Sequence, residues 1–139
     1  MREWDLFWVE FLVYWASYVV IRPKLGRKNR WWRVGWLANT LLALGMIWSY
    51  GMKEEWMRIL SVLMAVGVIG HHGGVWLRYS RFNHRYSHRL HMAISHWLFF
   101  VPFGIVGVFG GGGLILATVS GITAVVGVLV GMEKIKVSF

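Results

Sequence analysis

Apolar residues in this chain come in five runs, and polar residues fall in the gaps between them. The runs cover residues 6–21, 34–51, 57–77, 91–109 and 114–132. Each approaches the roughly 20 apolar residues that a helix needs to cross about 30 Å of hydrocarbon. A helix on a water-facing bundle places polar side chains every three or four positions, and these runs do not. The pattern predicts an all-α, polytopic transmembrane helical bundle of about five spans, forming a single domain over residues 1–139. Four consecutive glycines, residues 110–113, predict a turn between the last two runs, because glycine holds a helix poorly.

The polar gaps set the expected orientation. The segments 22–33 and 78–90 and the C-terminal tail hold Arg22, Lys24, Arg27, Lys28, Arg30, Arg33, Arg78, Arg81, Arg85, Arg89, Lys134 and Lys136, which is twelve of the fifteen basic residues. The opposite side holds Arg2, Lys53 and Arg58 together with five of the six acids. Short loops rich in Lys and Arg stay in the cytoplasm. An outside N-terminus, an inside C-terminus and a multi-pass location in the plasma membrane follow as expectations. Trp31, Trp32, Trp36, Trp76 and Tyr79 at one boundary, and Trp4, Trp8, Trp48, Tyr50 and Trp56 at the other, read as aromatic belts. The first run lacks a basic leader and ends in Arg22-Pro23-Lys24 rather than small residues, so it reads as a retained span.

Composition narrows the chemistry. The formal charge of +9 is accounted for by the positive span ends, so the expected partner is a bilayer with anionic headgroups, not nucleic acid. With no cysteine, disulfides, thiolate metal sites and iron–sulfur clusters are excluded within the chain. There is no phosphate loop, dinucleotide fingerprint or nucleophile elbow. Small residues recur every four positions at Gly70 and Gly74, at Gly113, Ala117 and Gly121, and at Gly127 and Gly131. Such ribbons let helix backbones approach closely. They serve packing within the monomer first, with contact to other membrane subunits or to a second copy as the alternative.

The candidate chemistry lies in six histidines between positions 71 and 96. His72 precedes the end of the third run by five residues, and His96 follows the start of the fourth by five. In antiparallel neighbours both rings then lie about 8 Å inside the boundary, at about 1.5 Å per residue. Facing histidines at membrane depth are what axial ligation of a b-type heme requires. Arg78, Arg81 and Arg89 are candidates for its propionates. His71 stands about 100° from His72 on a helix, so one of the two faces the fourth span. His84, His88 and His91 would share a face if the fourth helix extends backwards, which suits a transition metal.

Three functional readings follow from these residues. The first is a small heme-binding electron-transfer subunit of a respiratory-type complex. The second is a non-catalytic accessory subunit of a larger membrane complex, and the third is a membrane metal protein using the histidines. Glu10 is expected to snorkel or to pair with Lys53 or Arg58, and Asn39 to bond across to another helix.

Overall fold

Five helices form wherever the apolar runs predict them. The computed structural model describes residues 3–79, 88–111, 113–132 and 134. Its elements are α1 (Glu3–Ile21), a 3₁₀ turn (Arg22–Lys24), α2 (Trp31–Gly51), α3 (Glu55–Arg78), α4 (His88–Phe109) and α5 (Gly113–Gly131). No strand occurs among the described residues. Pro23 fixes its own φ and donates no N–H, which suits a tight turn after α1. Gly111 and Gly113 take φ of +88° and +79° between α4 and α5, a backbone region that residues with a Cβ rarely enter.

Three helices, Glu55–Arg78, Leu90–Phe109 and Gly113–Gly131, are long and apolar enough to cross a membrane. The surface agrees with that. Leu41, Val62, Ile69, Leu114, Ile115 and Ile122 are all more than half exposed. Water does not tolerate apolar patches this continuous on a soluble monomer, whereas hydrocarbon does.

Consecutive helices pack on one another, from α1 on α2 through to α4 on α5. Lipid tails are as apolar as leucine, so this packing rests on close contact and interhelical hydrogen bonds rather than on expulsion of water. The glycines of α3 supply the close contact. A Cβ at Gly67 would come within 2.7 Å of the Phe99 backbone nitrogen, and one at Gly70 within 2.7 Å of Ser95 Oγ. A Cβ at Gly74 would come within 2.9 Å of the His91 ring. On α5, Gly127 packs beside His96, and Gly131 beside Ala93. These ribbons therefore work inside the monomer, while Gly121 has nothing within 4 Å of a Cβ position.

Two apolar clusters form the core. One lies at the end away from the basic segments: Phe7, Met46, Met57, Met64, Phe99, Phe103 and Val106 pack together there. Phe103 joins α4 to α1 through ring contacts with Phe7 at 5.7 Å and Phe11 at 6.0 Å. The other cluster, of Leu25, Trp36, Val75 and Met92, lies at the basic end. Trp36 is 1% exposed, which corrects its expected place in the aromatic belt. Its indole N–H donates to the His72 carbonyl at 3.1 Å, and that bond draws the ring into the core. Trp31 and Trp48 remain exposed as expected.

Gly67→Leu should lower the thermal midpoint of the detergent-solubilised protein, because overpacking a tight contact costs roughly 1–3 kcal/mol. Gly73→Ala, with open space at its Cβ position, should leave the midpoint unchanged or raise it, since alanine favours a helix by about 1 kcal/mol over glycine. Equal midpoints for the two variants would show that α3 and α4 are not in backbone contact at Gly67.

Candidate functional site

A polar layer separates the two apolar clusters, and it is built around adjacent histidines on α3. Their side chains diverge because neighbouring helical positions point about 100° apart. His72 faces α1 and α2, while His71 faces α1 and α4.

His72 is held on both ring nitrogens. Thr40 Oγ1 donates its one proton to the Trp36 carbonyl at 2.9 Å, so at its 2.6 Å contact with His72 Nδ1 it must accept. His72 therefore carries its proton on Nδ1, and Nε2 accepts from the Tyr14 hydroxyl at 3.1 Å. A neutral imidazole is one donor and one acceptor, and this arrangement satisfies both. The Trp36 ring stacks on the imidazole at 4.4 Å. Nearby, Asn39 donates to the Tyr14 carbonyl at 2.9 Å and to Ser17 Oγ at 2.6 Å, which makes the expected bond to another helix.

His71 shares a 2.8 Å hydrogen bond with the Tyr18 hydroxyl through Nε2. Its ring meets His96 of α4 edge to face, with centroids 4.9 Å apart and planes at 83°. His96 Nδ1 lies 2.9 Å from the Met92 carbonyl. A carbonyl only accepts, so Nδ1 holds the proton and Nε2 of the neutral ring is left as an acceptor. His91 bonds the Gly70 carbonyl through Nε2 at 2.6 Å, tying α4 to α3 one layer nearer the basic end.

These positions revise the expected ligand pair. The histidine that meets His96 is His71, and His72 turns to the opposite side, where both of its nitrogens are engaged. The rings also fail to fit a bis-histidine heme. Two imidazoles on opposite sides of one metal keep their nitrogens about 4 Å apart, at about 2 Å per bond, and a macrocycle must pass between them. His71 and His96 are in direct ring contact with no such gap. Arg78 ends α3, Arg81 lies outside the described residues, and of Arg89 only the backbone is described. Of the three expected metal ligands, His84 lies outside the described residues and His88 is described in backbone alone. His91 uses Nε2 for an interhelical bond. Among the described residues, no group of three His, Cys, Asp or Glu stands close enough to hold a metal ion.

The polar layer borders a cavity of about 180 Å³ between α1, α3 and α4. Tyr14, Tyr18, His71, His72, Ser95 and His96 form its polar wall, and Phe11, Trp15, Phe99 and Phe100 its apolar one. Phe11 and Phe103 close the cleft between α1 and α4 on the side away from the basic segments. Trp15, which lines the cavity, is 56% exposed. Arg22 follows α1 and opens the 3₁₀ turn. Its buried Nε has no hydrogen-bond partner among the described residues. One carboxylate oxygen of Glu10 is likewise buried and unmet, so the expected pairing does not reach that atom.

The histidines were visible as candidates from sequence, but Tyr14, Tyr18 and Thr40 were missed. The available signal was Tyr14 and Tyr18 standing four residues apart in the middle of an apolar run, away from the boundaries that tyrosine favours. Comparison with family models, curated proteins and solved structures gives no match.

Tyr14→Phe and Thr40→Val should each lower stability by about 1 kcal/mol, the usual worth of an interhelical hydrogen bond in a membrane. Because both partners bind one imidazole, the double variant should cost measurably more or less than the sum of the two. Strict additivity in thermal or denaturant unfolding would argue against a shared His72.

Proposed function

We propose that this chain is a five-span plasma-membrane protein, N-terminus outside and C-terminus inside, whose working part is a lipid-accessible binding cavity in its cytoplasmic half. The observation that carries this reading is the cavity itself: two tyrosines and three histidines line a space at membrane depth, together with the exposed Trp15. Polar side chains inside a bilayer are costly and concentrate at functional sites. Ligand sites are concave and mostly apolar, with a few placed polar groups, and this cavity has that character. At about 180 Å³ it is smaller than the roughly 300–1,000 Å³ of a site that encloses a drug-sized ligand. It suits a headgroup whose remainder stays in the lipid.

The five-span topology is supported by five helices of 19, 21, 24, 22 and 19 residues and by the crowding of basic residues on one side. Trans-membrane conduction finds no support, because the Phe7, Phe11 and Phe103 cluster closes the bundle beyond the polar layer. Membership of a larger complex is a second reading. It is favoured by α5, which packs chiefly on α4 and leaves Leu114, Ile115, Ile122 and Val125 uncovered.

The absence of native cysteine makes thiol labelling a clean test. Lys53→Cys should react with a membrane-impermeant maleimide on intact cells, and Lys28→Cys only after permeabilisation. Reversed labelling would invert the topology. Ser95 and Ser61 are both 4% exposed, but Ser95 lines the cavity while Ser61 lies in the packed interior. In membranes, permeant N-ethylmaleimide should label Ser95→Cys at least about tenfold faster than Ser61→Cys, since reaction requires access to the thiol. Equal rates would remove the accessible cavity.

A further inference from the structure

Resting on that reading, we propose that the cavity holds the aromatic headgroup of a lipid-soluble phenol or quinol, whose hydroxyl donates to His96 Nε2.

His96 supplies the acceptor. Its Nδ1 proton is committed to the Met92 carbonyl, so the neutral ring keeps a lone pair on Nε2. That nitrogen has no hydrogen-bond partner among the described residues, and it is not one of the sealed, unmet atoms of the interior. A ligand atom can therefore reach it. The ring turns toward the cavity and away from α5. Its Cβ is the part beside Gly127, while its ring meets His71 edge to face and stacks on Phe100 at 5.8 Å. Both of those rings line the cavity.

The rest of the wall asks for a neutral donor. The Tyr14 proton is committed to His72 Nε2, so the Tyr14 oxygen is also left to accept. The Ser95 hydroxyl can give or take a hydrogen bond, and a hydroxyl ligand does both. No Asp, Glu, Lys or Arg is among the described lining residues, and an ion taken out of water without a partner is costly. A carboxylate, a phosphodiester or an alkylammonium is excluded on that ground. A ketone, an ether or an ester has no proton for His96.

The apolar side narrows the hydroxyl to an aromatic one. Phe11, Tyr14, Trp15, Tyr18, Phe99 and Phe100 border the space, and ring pairs contribute beyond the area they bury. An aliphatic chain gains nothing of that kind. In another protein an apolar cavity of about 150 Å³ holds benzene, so about 180 Å³ here has room for one ring with its hydroxyl. Trp15 both lines the cavity and is exposed, so a tail that follows it reaches hydrocarbon while the headgroup stays at the depth of the histidines.

Binding of tritiated para-dodecylphenol should be measured on the full-length protein in phosphatidylcholine nanodiscs, with empty nanodiscs subtracted. Unlabelled para-dodecylphenol and reduced dodecylhydroquinone should displace it at concentrations at least about fivefold below those of para-dodecylanisole and dodecanol, as expected for one hydrogen bond. The lower of the first two midpoints tells whether one hydroxyl or two are recognised. His96→Phe should bring the phenol and anisole midpoints together in a monodisperse protein, and His96→Gln, whose amide oxygen accepts, should keep part of the gap. In the unaltered chain, nitrogen NMR of labelled histidine should show His96 Nε2 shifting on addition of the phenol and unmoved by the anisole. Equal midpoints for phenol and anisole, or an unmoved Nε2, would overturn the hydroxyl contact with His96. Dodecanol matching the phenol would overturn the aromatic headgroup. Absence of saturable phenol binding would overturn the proposal outright, and fast N-ethylmaleimide labelling of Ser95→Cys in the same membranes would show that the cavity reading survives it.

Discussion

A polar atom inside a bilayer has no water to turn to, so its partner must come from a neighbouring helix. That constraint organises this molecule. Thr40 reaches the Trp36 carbonyl, which obliges it to accept from His72, which in turn leaves His72 Nε2 to accept from Tyr14. The chain fixes the His72 tautomer and draws α1, α2 and α3 together in one layer. His71 and His96 extend the layer to α4. The apolar clusters on either side pack without directional bonds, and the glycines of α3 let α4 come close enough for its histidines to join the network.

Much of the architecture is written in the length of the apolar runs. All five helices begin and end within three residues of those runs, because a stretch with no polar position has little choice but to satisfy its own backbone. Depth was legible too, since rise per residue alone places His96 level with the α3 histidines. Facing was not. With His71 and His72 adjacent and 100° apart, only packing decides which one meets α4, and the decision turns on Trp36 and Thr40 engaging His72 from α2. Nothing in the local pattern of α2 marks Trp36 as a core residue rather than a boundary one. Tyr14 and Tyr18 were overlooked for a similar reason: their spacing is visible, but their partners lie more than fifty positions away.

The same facing bears on the proposed function. Histidines ringed at a distance around an open gap would suit a macrocycle. Histidines in mutual contact, bonded to tyrosines and lining a small cleft, suit recognition of a compact polar group. α1 packs on α2, and Phe7 and Phe11 of α1 meet Phe103 of α4.

The account depends most directly on which α3 histidine meets α4. Magic-angle-spinning NMR of histidine-labelled protein in lipid bilayers reads this from through-space correlations between imidazole rings, assigned with single His→Gln variants. A cross-peak between His71 and His96, with the His72 proton on Nδ1, is the predicted result. A cross-peak joining His72 to His96 while His71 stands apart would contradict it, and with it the shape of the cavity.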